Sequence, residues 1–308
     1  MFREKIPARQ LSAWMFAVIV PVGLQLLSGG SWVWVGCAGT VGVVLTWVLW
    51  RKPQEPKRFV CVLLFIYVTV LTGEMLHRTA QSWPVGNSDP AIPLILLALA
   101  AWSAQKGPSA AARAGAVLFW QVLVLYLAVF AAGIKDVRVQ WLVPQWEVPD
   151  TLGMTILLIP CATIGMLREP GTPGKRVWLS MAFLLAGSII TVGVLSPSLS
   201  SGLNNAFYEL SRSLELFGAA RRFEALICAG ATVGWFALLS ALLTLSGLYT
   251  QKIFPGYGRG GVWLASGGAA LWKLCGLHIE PTFFLLAGTV FWVAAPLSAQ
   301  GLGKIKKS

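Results

Sequence analysis

Charge is what this chain has least of. Of its 308 residues only 12% are Asp, Glu, Lys or Arg, about half the share of an ordinary soluble domain, which needs charged side chains to cover its surface. Acids are scarcer still, 12 against 24 Lys and Arg, and there are only 2 His and 5 Cys. Cys37, Cys61, Cys161, Cys228 and Cys275 are odd in number, none sits at metal-ligand spacing, and each lies inside an apolar run. They read as small core residues. With only His77 and His278 besides, no zinc or haem site can be assembled, and no cofactor is expected. Missing too are a nucleophile with a paired base, a phosphate-cradling loop and a carboxylate dyad, so the chain reads as non-enzymatic. The apolar stretch after the basic start runs into Gly29 and Gly30 without an Ala-x-Ala ending, and is expected to stay as a spanning helix.

In place of charge there is oil. Apolar residues make up 56% of the chain, with 15 Trp, 15 Phe and 5 Tyr, and the mean hydropathy is +0.70. Such an aromatic load suits helices that anchor rings at two membrane surfaces. A hydrocarbon core about 30 Å thick needs roughly 17 to 25 residues per helix. Cut by that rule, the chain yields ten spans: 11–28, 31–50, 59–76, 91–105, 114–134, 151–167, 177–195, 223–248, 260–277 and 281–299.

The cations test this count. Ten spans that start inside put seventeen Lys and Arg on the inner side, in the clusters around Arg3, Arg51, Lys106, Arg168, Lys252 and Lys304. Six fall outside: Arg78, Lys135, Arg138, Arg212, Arg221 and Arg222, while Lys273 lies within span nine. That is the bias of cytoplasmic loops, and losing one middle helix would invert every loop after it. Both termini are therefore expected in the cytoplasm. The net charge of +12 follows from those loops and does not mark a nucleic-acid binder, whose cations would line one face.

Two outer segments are long enough for structure of their own. One is 135–150, with Trp141 and Trp146. In the other, within 199–220, Leu203, Phe207, Leu210, Leu214 and Phe217 recur every three or four residues, with Asn204, Glu209, Arg212 and Glu215 between them. That spacing predicts an amphipathic helix lying along the membrane surface or over the outer vestibule.

Span one contains Pro21, Val22, Gly23 and Gln25, and span six contains Gly153, Pro160, Cys161, Ala162, Thr163, Ile164 and Gly165. If ten helices are two inverted sets of five, spans one and six correspond, and a pair of interrupted helices in corresponding places points to a transporter's midplane site. The alternative is that Gly and Pro merely kink these helices or allow close packing. Glu74 and His77, three apart, share a face near the outer end of span three, and Tyr67 lies deeper in it. An ionisable residue within a span is a functional candidate by default, although water is within reach here. Gln121, Thr232 and Lys273 are the other polar groups inside apolar runs.

Three local patterns resemble the spore-germination permease family, the B subunits of nutrient germinant receptors, within the amino acid, polyamine and organocation transporter superfamily. The first is Lys5-Ile6-Pro7-Ala8-Arg9-Gln10-Leu11, before span one. The second is Lys106-Gly107 followed by Ala112-Arg113. The third, the most specific, is Phe207-Tyr208-Glu209-Leu210-Ser211-Arg212-Ser213-Leu214 with Arg222-Phe223-Glu224-Ala225-Leu226. The chain departs from the family in its short link between spans two and three, in Ser109 where a carboxylate is usual, and in having its span-eight Trp at Trp235.

The resemblance implies an all-α integral membrane protein of two inverted five-helix repeats, 11–134 and 151–299, with interrupted helices one and six. It implies a small nutrient (amino acid, sugar or nucleoside) as ligand, an A subunit and a lipoprotein C subunit as partners, and the inner spore membrane or cell membrane as location. The expected site lies between spans one, three, six and eight, formed by Pro21, Val22, Gly23, Gln25, Tyr67, Glu74, Pro160, Cys161, Ala162, Thr163, Ile164 and Thr232. The other readings are an autonomous amino-acid transporter and a membrane scaffold that binds nothing.

Overall fold

The computed structural model describes residues 6–27, 29, 31–51, 56–81, 91–144, 150–167, 176–203, 205–214 and 223–297. Arg3, Lys5, Trp146, Asn204, Glu215, Phe217, Arg221, Arg222, Lys304, Lys306 and Lys307 lie outside the described residues. Ten helical segments stand where ten spans are predicted. They are α1 (Ala8–Leu27), α2 (Trp32–Arg51), α3 (Arg58–Gln81), α4 (Ala91–Ala104), α5 (Pro108–Gly133), the split pair α6 (Thr151–Ile156) and α7 (Ile159–Leu167), and α8 (Arg176–Leu195). After two short outer helices, α9 (Pro197–Gly202) and α10 (Ala206–Ser213), come α11 (Phe223–Ile253), α12 (Gly258–Leu274) and α13 (Pro281–Gly288), which runs on into a π-helical turn, Thr289–Ala294. Six of these helices are long and apolar enough to cross a membrane, and three shorter ones are apolar.

Burial divides the helices by role. α1 is apolar on all sides and buried from Leu11 to Gln25, as a helix at the centre of a bundle must be. α5 and α12 instead expose Val117, Trp120, Val124 and Leu271, a cost in water but not in lipid, where backbone groups are satisfied within each helix.

Part of the helix packing obeys a simple rule, from which the α1–α11 and α5–α11 contacts depart. α1 packs on α5 as split span six packs on span ten; α1 packs on α8 as α7 packs on α2; α3 packs on α12 as α11 packs on α4. The contacts α2–α8, α3–α11 and α4–α12 map onto themselves when span n is exchanged with span n plus five. Because five is odd, the second half threads the membrane in the opposite sense to the first, which is an inverted repeat.

Contacts between loops respect the sides assigned by charge. The Ile6 N–H donates to the Leu167 carbonyl at 2.8 Å, and the Trp263 indole N–H donates to Gln105 Oε1 at 3.2 Å, joining segments predicted inside. The Arg138 N–H donates to the Gly193 carbonyl at 2.8 Å, and Arg78 lies 3.7 Å from Asp150, joining segments predicted outside.

Two local expectations, for helix one and for the outer segment, are corrected, and that for helix six holds. Helix one is continuous from Ala8 to Leu27 with Pro21 inside it. Neighbours enclose the turn that Pro21 weakens, and a membrane helix held on every side tolerates the lost hydrogen bond. Helix six is interrupted, at Leu157 and Leu158, so that Pro160 falls in the first turn of α7, where its missing N–H has no partner to lose. The single amphipathic helix is two, because Gly202 ends one and the Asn205 side chain caps the next by accepting from the Tyr208 N–H at 3.1 Å. Phe207 and Leu210 are wholly buried beneath α10, so its apolar face seats on the bundle rather than on lipid.

Candidate functional site

The predicted site residues fall into separate groups. On α1, Gln25 Oε1 accepts a 2.6 Å hydrogen bond from the Trp235 indole N–H of α11. Both side chains are buried. A Cβ on Gly234 would strike that of Pro21, and one on Gly23 would lie 2.7 Å from Leu184 Cδ2. The Pro21 to Gln25 stretch is thus clamped between α11 and α8, and the absent side chains of two glycines are what let three helices meet there.

On the far side, Cys161 Sγ is 3.5 Å from Thr46 Oγ1 of α2. Thr163 Oγ1 donates to the Pro160 carbonyl at 3.0 Å, with Met15 Sδ of α1 at 3.5 Å. Pro160, Cys161, Ala162 and Thr163 are buried and Ile164 follows them on α7. Thr232 faces elsewhere. It bonds its own helix at the Cys228 carbonyl and lines, with Gln121, an apolar groove between α4, α5 and α11.

Tyr67 meets the break in span six through a residue that sequence reasoning overlooked. Its hydroxyl donates to the Phe284 carbonyl of α13 at 2.8 Å, and its ring stands edge-on to Trp292 at 5.0 Å. A Cβ on Gly288 would lie 2.8 Å from the Tyr67 hydroxyl oxygen and 3.4 Å from Leu158. Spans three, six and ten therefore converge on Gly288, one residue before the π-helical turn, a departure from regular helix that recurs at functional sites.

Two turns further out on the same face of α3, Glu74 lines a cavity of about 310 Å³ with Arg78, His278, Glu280 and Pro281. Glu74 is only 3% exposed; its Oε1 lies 3.4 Å from His278 Nδ1, and its Oε2 has no hydrogen-bond partner among the described residues. His77 stacks edge-on against His278 at 4.0 Å, with Lys273 Nζ 3.4 Å from its Nδ1. Arg78 reaches Asp150, whose other carboxylate oxygen caps α6 at the Leu152 N–H, 3.0 Å away. A buried carboxylate with one oxygen unsatisfied is costly to keep. His77, which the spacing places on the same face as Glu74, turns instead to Lys273 and His278. The partner of Glu74 comes from the link between spans nine and ten, two hundred residues away, and no local spacing could have indicated it.

Ten helical segments, two interlocked halves of opposite threading and a buried break in span six define a multi-pass membrane protein of the amino acid, polyamine and organocation transporter type of fold. Among solved structures, the chain is similar to Mhp1, a nucleobase-cation-symport-1 family transporter in a closed conformation with bromovinylhydantoin bound. The TM-score is 0.59 at 14% identity, over 94% of this chain and 76% of that one. At that identity the likeness is one of fold. No protein-family model and no curated protein matches the chain.

Proposed function

We propose that the chain is a permease-fold protein that takes a small polar solute from the outer face into the cavity at Glu74. The unsatisfied buried Oε2 of Glu74 carries this reading, since a solute that donates a hydrogen bond or carries positive charge removes the cost of leaving that oxygen bare. From there the face of α3 leads inward past Tyr67 to Gly288 and the break at Leu157 and Leu158. In this reading Pro21, Val22, Gly23 and Gln25 hold α1 as the post against which spans six and ten move, while Pro160 to Ile164 form the moving half-helix. Both chain ends face the cytoplasm.

The finer reading is the membrane permease-like subunit of a spore germinant receptor, working with an A subunit and a lipoprotein C subunit. The three sequence patterns of the spore-germination permease family support it, and the fold is of the matching type. Glu74→Gln keeps the size and burial of the side chain but loses its charge. In the receptor reading this variant accumulates in the membrane at normal level, and spores carrying it fail to respond to nutrient. Uptake of labelled amino acids by liposomes holding the purified chain alone would replace the receptor reading with that of an autonomous transporter. An unaltered nutrient response in Glu74→Gln would remove the outer cavity from the site altogether.

A further inference from the structure

A second cavity lies at the opposite end of α3, between α3, α11 and α12. Its volume is about 720 Å³, and Val62, Phe65, Phe254, Tyr257 and Leu264 line it. Of these, Val62, Phe254, Tyr257 and Leu264 are exposed at the surface of the fold, so the cavity is a groove open to the bilayer. Its floor is kept low by Gly260 and Gly261 at the start of α12.

Four cations stand at the helix ends that adjoin this groove. Arg58 precedes Val62 by four residues and Phe65 by seven, so all three share one face of α3. Lys57 is next to Arg58; Lys252 is next to Ile253, which also lines the groove, and Arg259 is next to Gly260. Lys57, Arg58 and Arg259 are exposed. An apolar slot with cations on the adjoining helix ends is complementary to a molecule with an oily chain and an anionic head. The volume favours a chain-like guest, falling within the range of small-molecule sites, while a helix about 10 Å across with its side chains would lie over the groove rather than in it.

We infer that this groove is a binding site for an anionic phospholipid, with one acyl chain between α3, α11 and α12 and the phosphate among Arg58, Lys57, Lys252 and Arg259. The positive end faces the leaflet that the charge bias assigns to the cytoplasm, where anionic lipid would reach it.

The glycines supply a clean perturbation. A Cβ on Gly261 would strike Thr250 Oγ1, whereas one on Gly260 meets nothing within 4 Å. Gly260→Phe therefore adds bulk at a groove-lining position where a Cβ has room. Arg58→Gln with Arg259→Gln removes charge and leaves the groove open.

The chain is reconstituted in nanodiscs of phosphatidylcholine, with and without phosphatidylglycerol in equal parts, and its melting temperature and retained lipid are measured after transfer to detergent. Both leaflets carry both lipids, so the outcome does not depend on the orientation of the chain or on the outer cavity. Phosphatidylglycerol should raise the melting temperature of the native chain and remain bound to it. Each lost cation should lower retention about fivefold, and Gly260→Phe should abolish retention without lowering the melting temperature in phosphatidylcholine. Equal melting in the two lipids, or equal retention by Gly260→Phe, overturns the proposal. So does a photocrosslinker at Leu264 that captures a second copy or another protein in native membranes instead of lipid.

Discussion

Replacing Gln25 with Leu should unfasten the centre of the bundle by a calculable amount. Gln25 is 6% exposed and Trp235 is 0% exposed, so neither end of their 2.6 Å bond has water to fall back on. Loss of the acceptor leaves a buried indole N–H bare, at a cost of about 1–3 kcal/mol in soluble cores. Side-chain bonds between membrane helices are weaker, averaging about 0.6 kcal/mol with a maximum near 1.7. Because this bond is short and fully enclosed, the expected loss is about 1.5 kcal/mol. Trp235→Phe loses the same bond together with some packing, and Gln25→Leu with Trp235→Phe removes both polar partners, leaving no orphan. The double variant should then be more stable than the sum of the singles implies, with a coupling energy of about 1–1.5 kcal/mol. Reversible unfolding in mixed micelles, followed by tryptophan fluorescence with the Trp235 contribution subtracted, reads all four corners of the cycle. Coupling below about 0.5 kcal/mol is what unconnected sites show. That result would mean that α1 and α11 are not bridged at Pro21 to Gln25.

Other expectations test other parts of the fold. Tyr67→Phe removes the hydroxyl that holds the Phe284 carbonyl. It should cost about 0.6–1.7 kcal/mol and speed hydrogen exchange of the span-ten amides around Gly288; unchanged exchange would deny Tyr67 its hold on span ten. Gly234→Ala should destabilise by about 1–3 kcal/mol through overpacking, because its Cβ would strike the rigid ring of Pro21; a melting temperature equal to that of the native chain would refute that packing. Cys275 is exposed at the end of α12, on the side predicted to be outside. In a Cys37→Ser background, a membrane-impermeant maleimide should label it in intact cells, and labelling only after permeabilisation would invert the proposed orientation.

What the sequence made legible followed from periodicity, length and the placing of cations. The end of α1 and the spans around 91–105 and 177–195 were readable because one solvent, lipid, dictates both the length and the composition of a spanning helix. The end of span three was not. Glu74, His77 and Arg78 look like the point where a helix leaves the membrane, yet α3 continues to Gln81, because Asp150 and the link between spans nine and ten give those side chains long-range partners. The same difference in range explains the contrast between Pro21 and Pro160. Local chemistry is nearly identical at the two sites, one backbone hydrogen bond removed in an apolar run. Pro21 has Gly234 opposite it, so α11 closes on the weakened turn and holds it helical. Just before Pro160, Leu158 lies close to Gly288 on span ten, beside the π-helical turn that itself departs from regular helix. A proline states where a helix can break; the residue across from it decides whether it does. The chain therefore has one continuous centre post and one broken helix, and the asymmetry lies in Gly234 and Gly288, neither of which carries a side chain to be noticed.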